Sequence, residues 1–287
     1  MLEKTTQESE YITVIRPKNG LFDLNLKEVW RYRDLIWIYT KRTFALTYKQ
    51  TVLGPIWIFL NPFITSLIYV LVFGGIAGIP TDGIPQMLFY LGGNAVWTFF
   101  SSSLTKTATT FTANANVFGK VYFPRLTLPI STVLSSAINF VVQMILFMAF
   151  WIYYLAVGQI HPNFAAILAL PLVLLQVGAL ALGCGIIISS LTTKYRDLAI
   201  LVTFGVQLWM YITPVVYPIS TLGDGLLRTI LLLNPVTCGV EAFRYMFLGQ
   251  GLVDPVWWLW SIGITLVVLL VGIVLFSRVE KTFMDTV

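Results

Sequence analysis

The sequence predicts an all-α, multi-pass membrane protein. It has six transmembrane helices, an amphipathic interfacial helix ahead of them, and two short re-entrant helices between spans five and six. Three observations carry this reading. Apolar runs begin near Thr51, Met87, Leu128, Phe164, Leu198 and Pro255, and each approaches or exceeds the ~20 residues that cross ~30 Å of hydrocarbon at ~1.5 Å per residue. The chain is 57% hydrophobic and 11% charged, whereas a soluble domain carries about 25% charged residues. Its basic residues also alternate between rich and poor loops, as they do when they orient a membrane protein.

That alternation sets the topology. Lys41, Arg42 and Lys49 precede span one, Lys120 and Arg125 lie between spans two and three, Lys194 and Arg196 between four and five, and Arg278 and Lys281 follow span six. Of the opposite loops, Pro80–Pro85 has no base, Gly158–Asn163 has only His161, and the last holds Arg228 and Arg244. Both termini are therefore expected in the cytoplasm. The net charge of +5 serves orientation, and nucleic acid is not an expected partner. The N-terminal 50 residues hold no apolar run, so no signal peptide is expected. Two cysteines without a CxxC motif and one histidine predict neither a disulfide framework nor a metal site.

The elements follow in order. Residues 1–23 read as a flexible cytoplasmic lead, 24–48 as the amphipathic helix, and 49–287 as the transmembrane domain. In the amphipathic helix Val29, Trp30, Ile36 and Trp37 fall on an apolar side, with Lys27, Arg31 and Asp34 on another. It suits either the headgroup layer or a partner surface. Span one, about Val52 to Gly78, contains Pro62, which frees a carbonyl and kinks the helix. Span two, about Met87 to Phe111, grows rich in Ser and Thr from Ser101 to Thr110. These hydroxyls either bond helix carbonyls or line a wet passage. Spans three (about Leu128–Val157) and four (about Phe164–Leu191) are regular. Gly178, Gly183 and Gly185 give span four a small-residue packing surface. Span five starts after Asp197 and meets Pro214 and Pro218. Between Ser220 and Gly251 two apolar pieces, Leu226–Leu233 and Val236–Leu248, are split by Asn234-Pro235. Each is too short to cross, which predicts two half-helices dipping in from the outer face. Span six opens with the aromatic anchor Trp257, Trp258 and Trp260.

Function is narrowed first by absences. Coupled carriers bind their ion on buried ionisable residues. Here only Lys106 lies in a span, in the polar last turns of span two, where it can snorkel. No phosphate-binding G-x-x-x-x-G-K-[ST] loop occurs, so no catalytic residue or cofactor is expected in this chain. A separate subunit binding ATP and Mg2+ is the expected energy source. Two cytoplasmic segments suit its docking. Asn114–Arg125 is amphipathic, with Val117, Phe118, Tyr122 and Phe123 alongside Gly119, Lys120 and Arg125, and Tyr195-Arg196-Asp197 forms a second contact. On the residues alone, a helix entering a partner groove and an ordinary basic connector stand equal.

Ordered motifs extend this reading. Y-K-Q-T-V-L-G-P-I-W (Tyr48–Trp57), G-K-V-Y-F-P-R-L-T-L-P (Gly119–Pro129), Y-R-D-L (Tyr195–Leu198), T-P-V-V-Y-P (Thr213–Pro218) and N-P-V-T (Asn234–Thr237) resemble segments of type-2 ABC exporter permeases of the polysaccharide class. That class exports lipid-linked O-antigen, capsular polysaccharide and teichoic acid. The resemblance covers about Leu24 to the end. It implies a homodimer in the bacterial inner membrane, docked on ATP-binding-cassette subunits through Asn114–Arg125, with a lipid-linked polysaccharide as cargo. It also implies the re-entrant pair.

With such a cargo, aromatic faces are candidate sugar contacts: Trp57, Tyr69, Phe73, Trp97, Phe99, Phe100, Trp151, Tyr154, Trp209 and Tyr211. Glu241 and Arg244 sit three apart on one face of the second half-helix. They either pair and hold the unit closed or both face water. Two alternatives remain, a permease for a drug, lipid or peptide, and a membrane-embedded glycosyltransferase. The latter would need convergent carboxylates, and the outer-side acids are only Asp82, Asp224, Glu241 and Asp254.

Overall fold

A computed structural model describes residues 26–49, 54, 56–114, 123–193, 195 and 197–286. Every regular element among them is helical. Helices α1 (Leu26–Arg31) and α2 (Arg33–Tyr48) precede α3 (Ile56–Tyr69), which continues as a π-helical stretch, Val70–Ile76. Then come α4 (Gln86–Ala108), the single turn α5 (Thr110–Ala113), α6 (Thr127–Ala156), the short α7 (Phe164–Ile167) and α8 (Leu170–Thr192). The chain ends with α9 (Leu198–Tyr211), α10 (Leu226–Leu233), α11 (Pro235–Leu248) and α12 (Pro255–Thr286). The expected lead at 1–23 lies outside the described residues.

Among the described residues four helices are long and apolar enough to cross a membrane: Ile56–Ile76, Thr127–Ala156, Leu170–Thr192 and Pro255–Val279. The protein is therefore a multi-pass membrane protein. The pair α10–α11 passes the same test only as a unit bent by 90°.

Two expected spans depart from the apolar-run picture. Helix α4 has 23 residues, about 35 Å, but is too polar to qualify by hydropathy. Its position explains this, because α4 packs on α3, α6, α8 and α11, and 16 of its residues are buried. A helix enclosed by protein need not be soluble in lipid. Some of its hydroxyls bond along the helix, Thr105 Oγ1 donating to the Ser101 carbonyl at 2.8 Å and Ser101 Oγ to the Thr98 carbonyl at 3.4 Å, whereas Ser103 Oγ and Thr107 Oγ1 are buried without a hydrogen-bond partner.

Helix α9 stops after 14 residues, about 21 Å, shorter than the long fifth run expected. Pro214 lacks an amide hydrogen and disfavours helical geometry at Thr213, and the chain turns through 212–215.

Close approach at glycine sets the rest of the bundle. A Cβ on Gly183 would lie 2.9 Å from the Leu269 backbone nitrogen on α12, and one on Gly272 would lie 2.8 Å from the Gly183 carbonyl. Gly185 admits Thr107 of α4, whose Cβ would be 2.6 Å away. The small-residue surface of α8 thus faces two helices.

The amphipathic helix is broken at Tyr32 into α1 and α2, and its apolar side divides. Val29 and Ile36 are buried, whereas Trp30 and Trp37 are 70% and 51% exposed. Consecutive helical residues differ by about 100°, so Val29/Trp30 and Ile36/Trp37 cannot share one narrow face. The inward face packs on α6, with Thr40 Oγ1 donating to the Ser131 carbonyl at 3.3 Å and Tyr39 against Phe123 at 6.1 Å. The outward Trp37 lies under Lys41 Nζ at 5.2 Å.

Candidate functional site

The bend between α10 and α11 is built around one carboxamide. Asn234 Oδ1 accepts from the Val236 amide at 3.2 Å, capping α11, and from Trp209 Nε1 at 3.1 Å. Its Nδ2 donates to the Ile212 carbonyl at 3.2 Å and to Thr213 Oγ1 at 2.9 Å. Pro235 at the first helical position has no amide hydrogen to satisfy. Carbonyls freed at the break also find donors: Thr237 Oγ1 reaches Leu231 at 2.7 Å, Trp260 Nε1 reaches Leu233 at 3.1 Å, and Ser261 Oγ reaches Pro235 at 2.9 Å. Interrupted backbone surrounded by apolar protein requires this accounting.

Behind the bend, Glu241 and Arg244 are 4% and 2% exposed. Arg244 Nη1 donates to Glu241 Oε1 at 2.8 Å, and Nη2 donates to the Val215 carbonyl at 2.9 Å. Glu241 Oε2 accepts from the Leu252 amide at 3.0 Å. The guanidinium lies 3.7 Å from the Phe89 ring centroid, a cation–π contact in a desolvated place. Four segments therefore meet at one ion pair: the α9–α10 connection, α11, the turn before α12, and α4. Gly93 of α4 makes room, since a Cβ there would lie 3.2 Å from Arg244 Nη2.

The candidate aromatics separate into two groups. Trp97, Phe99 and Phe100 are buried in the core, with Phe100 edge-on to Trp209 at 5.1 Å and Phe99 beside Phe140 at 5.9 Å. Trp151 donates to the Phe247 carbonyl at 2.7 Å, and Tyr154 packs half-buried against the same core. Trp57 and Tyr211 are exposed and Tyr69 and Phe73 half-buried, so these four can meet a large ligand. Tyr69 joins α3 to α9 through its hydroxyl on Met210 Sδ at 3.5 Å.

Of the residues expected to contact an ATPase, Val117, Phe118, Gly119, Lys120, Tyr122 and Arg196 lie outside the described residues. Asn114 donates through Nδ2 to the Thr110 carbonyl at 3.0 Å, ending α5. Phe123 is 4% exposed and clusters with Phe111, Leu128 and Phe276. Tyr195 and Asp197 are exposed ahead of α9.

Each acid expected on the outer side has its own partner among the described residues. Asp82 accepts from Ser220 Oγ at 2.6 Å, Asp224 pairs with Arg228, and Asp254 caps α12 through the Val256 amide at 2.8 Å. Glu241 and Asp254 border a void of about 10 Å³, room for one water. No group of three metal-ligating side chains occurs among the described residues.

Sequence reasoning singled out neither Asn234's carboxamide nor Gln176, whose Nε2 donates to Ser261 Oγ at 2.7 Å and Thr265 Oγ1 at 3.1 Å. An isolated amide inside an apolar run is the signal that marks both.

A family model described as ABC-2 type transporter matches residues 34–248. The chain is also similar to the O-antigen export system permease protein RfbA of Myxococcus xanthus, 31% identical over 231 residues, covering 80% of this chain and 86% of that one. Two proteins of the same name from Klebsiella pneumoniae are 27% and 28% identical over 254 residues, covering 88% of this chain and 94% of each. With its helical bundle and bent helix pair, the chain belongs to the ABC-2 type transporter family.

Proposed function

We propose that this chain is the transmembrane subunit of an ATP-driven exporter that moves a lipid-linked polysaccharide outward across the bacterial inner membrane. The observation that carries this is similarity over nearly the whole length of permeases named for O-antigen export, rather than over one shared segment. The transport class also fits the helices themselves. Apart from Lys106, the helices that cross hold no charged side chain between their ends, which favours an energy source outside them over an ion relay. Energy comes from a separate ATP-binding-cassette subunit that carries ATP and Mg2+.

In this reading the chain crosses six times, with α4 and α9 completing the four apolar spans and α10–α11 re-entrant from the outer face. Both termini are cytoplasmic, and the ATPase docks on 114–125 and 195–197. The working unit is a homodimer. Its seam is supported by the outward faces of α3 and α9, where Ile64, Ile68, Leu71, Ile200, Leu201 and Phe204 are each more than 40% exposed.

Disruption of the gene should leave lipid-linked polymer on the cytoplasmic side and remove it from the cell surface. An affinity-tagged chain should copurify with an ATP-binding-cassette protein. Normal surface polymer in the disrupted strain would refute the reading.

A further inference from the structure

A second cavity, of about 350 Å³, lies between α3, α4 and α6, within the ~300–1,000 Å³ range of small-molecule pockets. Six of its nine lining residues are polar: Asn61, Thr98, Ser102, Lys106, Asn139 and Gln143. They sit at helical spacing, with Thr98, Ser102 and Lys106 four apart on α4 and Asn139 and Gln143 four apart on α6, so each helix turns one polar stripe to the same space. None of the lining residues is acidic, and Lys106 has no ion-pair partner among the described residues. Gln143 is 8% exposed, and its amide oxygen has no hydrogen-bond partner. Trp57 forms part of the wall.

The half-buried Lys106 keeps its charge by reaching toward the helix end, where it is free to take an anion, and the buried Gln143 amide oxygen is costly unless a donor completes it. The chemistry they ask for is specific. The ammonium takes an anion, the Gln143 amide oxygen takes a donor such as a sugar hydroxyl, and the Trp57 indole offers an apolar face. Lys106 is in the last turn of α4 and Trp57 in the first turn of α3. Both lie at the end of the bundle that the basic loops assign to the cytoplasm, where an outward-bound cargo enters.

We propose that this cavity receives the glycosyl-phosphate junction of a lipid-borne cargo, with Lys106 holding the phosphate and Asn61, Asn139 and Gln143 the adjoining sugar. The cargo assignment rests on the export reading, whereas the phosphate site stands on the cavity alone.

The full chain, in nanodiscs of zwitterionic phosphatidylcholine, is titrated with radiolabelled dodecyl phosphate. Saturable binding is expected, weakened about 10- to 100-fold by Lys106→Gln, the worth of one charge-assisted hydrogen bond. Lys106→Arg retains it and shows that the fold survives a change at this position. Binding that is absent, or unchanged in Lys106→Gln, overturns the site. Equal displacement by inorganic phosphate shows a soluble-anion site, and equal displacement by phosphatidylglycerol a bulk-lipid site. Either result overturns the cargo assignment. In cells Lys106→Gln should lower surface polymer. Lost phosphate binding with normal surface polymer separates the site from the cargo and overturns the proposal, whereas the export reading itself fails only if gene disruption leaves surface polymer unchanged.

Discussion

Removing one partner of the Glu241–Arg244 pair while keeping its shape should destabilise the protein far more than replacing both. Glu241→Gln preserves the side-chain volume and an acceptor for Arg244 Nη1, which now sits 2.8 Å from a carboxylate oxygen. The substitution leaves a guanidinium that is 2% exposed without a counter-charge, held by neutral groups alone: the introduced amide oxygen, the Val215 carbonyl and the Phe89 ring. Breaking a buried pair in this way costs about 3–5 kcal/mol, while exchanging both members for apolar residues of similar volume is often near neutral. At about 2–4 °C per kcal/mol for a chain of this size, Glu241→Gln should lower the melting temperature by about 6–20 °C. Arg244→Met should fall in the same range, because it strands the carboxylate and the Val215 carbonyl. The double substitution Glu241→Leu/Arg244→Met should recover at least ~2 kcal/mol of the summed loss, the coupling expected of groups in one network. The measurement is thermal unfolding of detergent-solubilised protein followed by size-exclusion chromatography. Single variants that melt with the wild type, or losses that simply add in the double, would refute the idea that this pair ties four segments together.

Other consequences are checked the same way or by labelling. Gly183→Leu drives a side chain into the α12 backbone and should abolish correctly folded protein, whereas Gly205→Ala, with nothing within 4 Å of its Cβ, should melt with the wild type. Gln176→Leu removes two hydroxyl partners between α8 and α12 and should cost about 0.6–1.7 kcal/mol, from the mean to the maximum measured for interhelical hydrogen bonds in a membrane protein. A single cysteine placed at Asp82, His161 or Asp224 should react with an impermeant maleimide on intact cells, while one at Tyr195 should not; labelling at Tyr195 would invert the topology. The pair Phe118→Ala/Tyr122→Ala should leave the chain in the membrane yet uncouple ATP hydrolysis from export, since aromatics at an interface centre carry about 2 kcal/mol or more each. Normal export by that variant would make the segment a passive connector.

What the sequence determined is what hydrophobicity and charge decide locally: apolar helices, several of them long enough for the bilayer, basic residues gathered in alternate connections, and a break at Asn234-Pro235. These follow from backbone hydrogen bonding in hydrocarbon and from the rigid pyrrolidine ring, and neither depends on distant residues. The i,i+3 spacing also placed Glu241 and Arg244 on one face. Only the tertiary structure chose between pairing and solvent for them, by bringing Val215, Leu252 and Phe89 around the pair. It likewise decided that α4 is largely enclosed by its neighbours while Thr98, Ser102 and Lys106 line a cavity, and that Trp97, Phe99 and Phe100 are core while Trp57 and Tyr211 stay accessible. It made Asn234 the joint of the α9–α11 region, and it faced Lys106 with Asn61 and Gln143 across a cavity. Each of these depends on which helices become neighbours, and that is set by long-range packing at residues such as Gly183 and Gly272, whose meeting no local period encodes.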